Sequence, residues 1–357
     1  MKIWLDALSP KQLFLFTSIA EHLKSMGHEP WITSRKYVQL DDLIDSVFKK
    51  WRILRVGEWG GRSLEGKLRA SIKRMAVLLD AAVSEAPDLC FSSGSPEASR
   101  ICYGLRIPHI LISDTPHSPV NPLAAPLSAR ILTPWIIPKD EWIKAGAQPD
   151  RILFYRALDP VFWLKDYKPG ENILRELGLE KKQYVFLRLP ETAASYLSLR
   201  DEEYLERLRP LLSSLGGLKL VVSCRYPEQL KAAEKILGEE NALITDRLFP
   251  GPSIVYYSAI FVGGGGTMTQ EAALLGVPTI SIYPGRLPTV LRFLEKEGLV
   301  VHLKDLREVG KVVGRFLGRL EAVEEEWRSK AEKLRSFMED PFKVVEKILK
   351  EVKQLSP

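Results

Sequence analysis

Cysteine is scarce in this chain: Cys90, Cys102 and Cys224 stand far apart among apolar neighbours, with no Cys-x-x-Cys pair. That excludes a disulfide framework and a zinc ribbon, and leaves the thiols as small buried hydrophobes. The five histidines (22, 28, 109, 117 and 302) show no ligand spacing, so no metal site is expected. No apolar run reaches the roughly eighteen residues that a membrane span requires. The opening MKIWLDALSP has one lysine and then an acid, which is not the charge order of a secretion signal. A cytoplasmic place is expected, with the inner face of a membrane as the alternative. Asn and Gln together number only ten while Lys, Arg and Glu abound, a balance met in thermophilic proteins. Basic residues exceed acidic ones by 51 to 45, too thin a surplus for a nucleic-acid binder.

What the chain has is length and regular alternation. Its 357 residues, 45% hydrophobic, suffice for two cores. KIWLDAL reads as a buried strand, and residues 11–26 as a helix closed by Gly27. PWITS, DLCFSS, PHILISD and ARILTP follow as strands, with long helical spacing over 67–86. The pattern restarts at YVFLRL (184–189), then a helix over 201–215, LKLVVSC, a helix over 227–237 and NALIT; helices are read over 305–318 and 323–357. Strands alternating with helices predict parallel sheets. The expected fold class is α/β, with two doubly wound Rossmann-like domains facing each other across a cleft. The seam is read near 157–183, giving domains 1–165 and 166–330, and a C-terminal helix 331–357 that packs back on the first. No exposed apolar stripe stands out, which suits a monomer.

One stretch asks for a reason. IFVGGGGTMTQEAALLGVPTISIYPG (260–285) reads as strand, four glycines, helix and strand. Each glycine carries an entropic cost, so four in a row imply either a very tight turn or a ligand close to the backbone. The free N–H groups and dipole of a helix start suit a phosphate. Gly263, Gly264, Gly265, Gly266 and Thr267 are therefore the candidate phosphate cradle, and Glu271 lies within reach of ribose hydroxyls. The bland alternative is an ordinary strand-to-helix turn. Neither G-x-G-x-x-G nor G-x-x-x-x-G-K-[ST] occurs in it.

GGGGTMTQEAALLGVP resembles the donor-nucleotide motif of GT-B glycosyltransferases and UDP-N-acetylglucosamine 2-epimerases. With GSPEASRICYGLRIP (94–108), DTPHS (114–118), RLPETAASYL (188–197) and the glycine pair near 60, it resembles an uncharacterised archaeal and bacterial family, domain of unknown function 354, within that superfamily. The resemblance covers most of residues 1–300. It implies a GT-B fold, a Gly-rich turn for the pyrophosphate, Glu271 on the ribose and, through the epimerases, a homodimer as the alternative to a monomer. Two departures stand out. Where the family opens with Asp-x-x-Asn-Pro-Pro-His, this chain has DALSPKQ, with Ser9 for the Asn and Gln12 for the His. Gln cannot accept a proton near neutral pH, so a general-base role there would be vacant. The epimerases' Thr-Glu-Arg-Pro-Glu stretch is replaced by YPGRLPTVL, which disfavours epimerisation.

Other bases must then be sought at strand ends. Asp6, Asp114 and His117 are the catalytic candidates, against the bland reading of loop capping. Gly94, Ser95 and Glu97, with Ser93, sit at a second helix start and are candidates for acceptor or sugar, although an N-cap followed by Pro96 explains Ser95 and Pro96 fully. Arg188 is a candidate for the pyrophosphate, with Glu191 and Ser195 nearby; its bland reading is a surface ion pair. Residues 49–74 hold nine basic and two acidic residues with Trp51 and Trp59, a stretch able to meet anionic lipid or simply a solvated helix face. The expected partners are a nucleotide-sugar donor and a glycan or lipid-linked acceptor, with no cofactor, the UDP-sugar being a substrate. The leading expectation is glycosyl transfer; a non-hydrolysing UDP-N-acetylglucosamine 2-epimerase or a non-catalytic sugar-nucleotide binder are the alternatives.

Overall fold

The structure is a computed structural model and describes all residues except 37, 62, 191–200, 239, 248, 250 and 353–357. The chain divides into two compact units, Met1–Lys165 with Met338–Pro357, and Asp166–Phe337. The break read between 330 and 331 thus falls inside a helix, Leu320–Ser336.

The first unit is built on seven strands: β1 (Lys2–Ala7), β2 (Glu29–Ser34), β3 (Ile53–Arg55), β4 (Leu89–Ser92), β5 (His109–Ile112), β6 (Arg130–Pro134) and β7 (Ile152–Tyr155). They pair in the order β3-β2-β1-β4-β5-β6-β7, all parallel. β4 and β5 are buried along their whole length, as strands covered by helices on both faces must be. Edge strands β3 and β7 escaped the sequence reading. They are short and partly exposed, so they lack the apolar run that marks the central strands.

The second unit repeats the plan with β8 (Tyr184–Arg188), β9 (Lys219–Ser223), β10 (Ala242–Thr245), β11 (Ile260–Gly263), β12 (Thr279–Ser281) and β13 (Val301–His302). Their order is β10-β9-β8-β11-β12-β13, again all parallel. In each sheet the order reverses once, between β1 and β4 and between β8 and β11. Ligands of open α/β sheets bind outside the carboxyl ends of the strands at such a reversal. Asp6 is registered beside Ser92 at the first reversal and Arg188 beside Gly263 at the second.

Two long helices of the sequence reading are each divided by a proline. The stretch 201–215 is an α-helix over Asp201–Leu208 and a 3-10 helix over Arg209–Ser214, because Pro210 has no N–H to continue the ladder. The stretch 323–357 divides into Leu320–Ser336 and Phe342–Glu351, with Pro341 before the second. The second piece packs on the first unit, where Phe342 stacks on His22 at 4.5 Å and Glu346 meets the same ring at 3.1 Å. Gly276 ends its helix at φ +74°, and a Cβ there would stand 2.9 Å from the Arg328 backbone. Handedness and close approach both require glycine.

Candidate functional site

At the second reversal the backbone N–H of Gly264 donates to the Arg188 carbonyl at 2.8 Å, tying the glycine turn to β8. None of the four glycines has positive φ, so handedness is not the reason for them. Packing divides them into two pairs. A Cβ on Gly263 would fall 2.4 Å from the Phe261 ring, and one on Gly264 would fall 2.6 Å from the backbone N of Pro190. Those two glycines are required by the protein itself. A Cβ on Gly265 would meet only Arg225 Nη2, at an ordinary 3.5 Å, and one on Gly266 would meet no described atom within 4 Å. The second pair is also the half-exposed one. Among the described residues nothing would obstruct alanine there, which would reduce backbone entropy loss by about 0.5–1 kcal/mol, so no described neighbour accounts for their smallness.

These two residues lead into the helix Thr267–Leu274. Gly266 offers no side chain to cap its first N–H groups, which leaves an anion-binding arrangement at its start. Thr269 Oγ donates to the Gly265 carbonyl at 2.5 Å and fixes the turn. Arg225, half-buried at the end of β9, holds its own N–H on Gln229 Oε1 at 2.9 Å and brings its guanidinium beside Gly265. Sequence reasoning missed Arg225. Its place directly after LKLVVSC, in the loop that follows the strand paired with β8, was the available signal.

Glu271 is 2% exposed, with Oε2 3.3 Å from where a Cβ on Gly251 would stand. Burial, and more weakly the charge of Glu271, push the Tyr167 hydroxyl pKa up. The carboxylate thus sits under residues 167 and 251. Arg188 differs from expectation. It is buried, and its Nη1 donates to Ser223 Oγ at 2.6 Å and to the Cys224 carbonyl at 3.0 Å, so the side chain braces β9. Glu191 and Ser195 lie outside the described residues.

The first reversal is filled by its own side chains. Asp6 has no exposed surface; Arg74 Nη2 and Thr33 Oγ1 each donate to its Oδ1 at 2.5 Å. Arg74, itself buried on the helix Leu64–Glu85, also reaches Glu97 at 3.4 Å and donates Nε–H to the Val56 carbonyl at 3.0 Å. Ser95 is fully buried, accepts from the Ala98 N–H at 3.2 Å as N-cap, and donates to Glu97 Oε2 at 3.3 Å. Gly94 turns at φ +77° where a Cβ would crowd Val120 at 2.9 Å. Asp6, Ser95 and Glu97 are therefore brought together, around an arginine that sequence reasoning had placed in a surface patch. Three hydrogen bonds, two from Arg74 and one from Thr33, tie Asp6 at the end of β1 to the helix Leu64–Glu85 and to β2. Behind it, Ser128 Oγ donates to the Ala124 carbonyl at 2.7 Å, so it must accept from His109 Nδ1 at 2.9 Å; Nε2 then accepts from Ser92 Oγ at 2.8 Å. Burial lowers the His109 pKa to about 4, keeping this ring neutral.

Asp114 belongs to a second cluster. Lys11 Nζ donates to Asp114 Oδ1 at 2.6 Å and lies 2.7 Å from Asp159 Oδ2, while the Tyr155 hydroxyl donates to Asp159 Oδ1. Burial works against the charge on Lys11, but the two carboxylates outweigh it and raise its pKa. Burial, then the neighbouring Asp114, raises that of Asp159. Lys11, Tyr155 and Asp159 went unnoticed in the sequence, since nothing local links residues 11, 114 and 159. His117 is exposed on the loop after Asp114. Gln12 uses both ends of its amide: Nε2 donates to the Ser93 carbonyl at 2.7 Å and Oε1 accepts from the Leu8 N–H at 2.6 Å. It joins the two loops of the reversal.

Within the basic stretch 49–74, Arg55 is paired with Asp41 and Asp45, Lys50 with Glu21, Arg69 with Glu65, and Arg74 is buried. Among the described residues no helix is long and apolar enough to cross a membrane.

The model of the family described as protein of unknown function (DUF354) matches residues 1–353. The uncharacterised protein MJ0665 of Methanocaldococcus jannaschii is 26% identical over 324 residues, 89% of this chain and 92% of that one. Among solved structures, the chain is similar to S. aureus MnaA in its co-structure with UDP, with TM-score 0.72, 14% identity, and 99% and 97% of the two chains covered. It is also similar to the Neisseria meningitidis UDP-GlcNAc 2-epimerase bound to UDP-GlcNAc (0.70, 14%, 98% and 100%) and to the spinosyn rhamnosyltransferase SpnG (0.62, 15%, 99% and 100%). These similarities establish the GT-B fold expected for the chain.

Proposed function

The chain belongs to the DUF354 family, and from that premise we propose that its C-terminal unit binds a nucleoside diphosphate sugar and that the protein transfers the glycosyl group to an acceptor. The observation that carries this reading is the second glycine pair. Among the described residues Gly265 and Gly266 have no packing reason to lack a side chain, yet they stand at a helix start beside Arg225. A diphosphate would accept from those N–H groups and from the guanidinium, with Thr267 on the rim and Glu271 serving the ribose. The solved structures bound to UDP and UDP-GlcNAc support a uridine diphosphate as the first ligand to try.

In the transfer, an acceptor hydroxyl attacks the anomeric carbon, the bond to the diphosphate oxygen breaks, and the hydroxyl proton passes to a base. Asp114 and His117 remain the candidates for that base in the N-terminal unit, where Gly94 shapes the acceptor-side turn. Asp6, Ser95 and Glu97 hold the turn in place. The dipole and Arg225 would stabilise the departing diphosphate. The stretch YPGRLPTVL carries no acid, which favours transfer over epimerisation.

Isothermal titration with UDP, GDP, ADP and their sugars tests the site. Selective binding by one nucleotide class is expected, weakened at least tenfold in Gly266→Val while the melting temperature holds. Equal affinity in Gly266→Val would place the ligand elsewhere, and no binding by a well-folded chain would overturn the reading. Incubating the bound donor in deuterium oxide distinguishes the reactions: incorporation of carbon-bound deuterium would indicate epimerisation.

A further inference from the structure

The helix Pro227–Leu237 follows β9, and its N-cap residue, Tyr226, makes no side-chain capping bond. Gln229, at the third helical position, turns its amide back instead: Oε1 accepts from the Arg225 backbone N–H at 2.9 Å. A side-chain acceptor on a backbone N–H just ahead of a helix is ordinary end-capping, and capping needs only that oxygen. The other end of the amide reaches out of the helix. Nε2 donates to the Pro190 carbonyl at 3.0 Å and lies 3.3 Å from Asp201 Oδ1, at the start of the helix Asp201–Leu208. Gln229 itself is buried.

The groups tied together by this amide are those that stand against the glycine turn. The backbone N of Pro190 lies 2.6 Å from where a Cβ on Gly264 would fall, and Arg225 Nη2 lies 3.5 Å from where one on Gly265 would fall. One buried side chain therefore fixes the loop after β8 and the loop after β9 relative to each other, at successive glycines of the turn. Removing the amide would take that partner from both the Arg225 N–H and the Pro190 carbonyl. A guanidinium serves a phosphate best where its position is set in advance, because ordering it on binding costs conformational entropy.

We infer, on the reading of the glycine turn as a nucleoside diphosphate site, that Gln229 is a positioning residue for the phosphate part of the ligand. It holds Arg225 at Gly265 and so sets how tightly a diphosphate is bound, without touching the ligand itself. Titration of the full chain with UDP and with uridine, which lacks the diphosphate, tests this. Gln229→Met should weaken UDP roughly fivefold and leave uridine within about twofold. Arg225→Ala should weaken UDP more, and adding Gln229→Met to it should change UDP affinity by less than about twofold, because the arginine through which the amide acts is gone. Gln229→Asn, as polar but one methylene shorter, cannot span both loops and should show the same selective loss where the methionine variant does not fold. UDP bound as tightly as by the parent, an equal loss for UDP and uridine, or a fully additive loss in the double variant would overturn the inference and leave Gln229 a residue of the fold alone. A parent that binds neither UDP nor any other nucleoside diphosphate would instead overturn the site reading, and this inference with it.

Discussion

The two order reversals have the same strand plan and opposite contents. Between β1 and β4 the space is occupied by the protein's own charges: Asp6, Arg74, Glu97 and Ser95 satisfy one another, with neutral His109 behind. Between β8 and β11 the backbone is stripped instead, and two of its four glycines are not required by any described neighbour. One reversal is held together by its own side chains, while the other presents bare backbone at a helix start. Similar topology thus places a potential site in each unit, and local residues decide whether it is filled or left for a ligand.

The comparison is broken most severely at Arg74. Arg74→Met would leave Asp6 and Glu97 as buried carboxylates without their cation, and should lower stability by about 3–5 kcal/mol in urea unfolding. A loss below about 1 kcal/mol would mean the first reversal is not held by this network. Next is pH. Folded His109 takes up a proton near pH 4, against 6.5 for an ordinary histidine. Between those values the unfolded chain binds more protons, so stability should fall as pH drops through that window, by up to about 3 kcal/mol. His109→Gln should remove that part of the slope, and an unchanged slope would assign it to other groups.

The glycine turn sharpens the contrast at smaller scale. Gly264→Ala should destabilise by about 1–3 kcal/mol, because its Cβ meets the Pro190 backbone. Gly266→Ala should be neutral or stabilise by up to about 1 kcal/mol, while weakening nucleotide binding. Thermal melts of the pair, read beside titration with UDP, check both. If Gly266→Ala lost as much stability as Gly264→Ala, the division of the four glycines would be wrong.

Much of the architecture was legible because buried parallel strands are written as uninterrupted apolar runs, and KIWLDA, LCFS and HILI announce themselves. The glycine stretch and Glu271 were legible too, as a local pattern of strand, turn and helix. Edge strand Ile53–Arg55 was not, since three half-exposed residues carry no periodicity. Nor was the break at Pro341 placed, because the charged pattern runs through it. On the helix Leu64–Glu85 the side chains of Leu64, Leu68, Ile72, Leu79 and Val83 form an exposed apolar row, against the expectation that no such stripe is exposed; its spacing is that of an ordinary core-facing stripe, and periodicity does not say which of two apolar faces finds the sheet.

The sequence by itself determined where strands, helices and the bare turn lie, for those depend on neighbours within a few residues. Only tertiary structure decided what each side chain does. It brought Arg74 from a basic surface run to Asp6, sixty-eight residues away, and joined Lys11 to Asp114 and Asp159. It aimed Arg188 at β9 and divided four identical glycines into two that packing demands and two that no described neighbour requires. The reason is physical: burial and ion pairing depend on distances in space, which residues far apart in the chain acquire only when the sheet assembles.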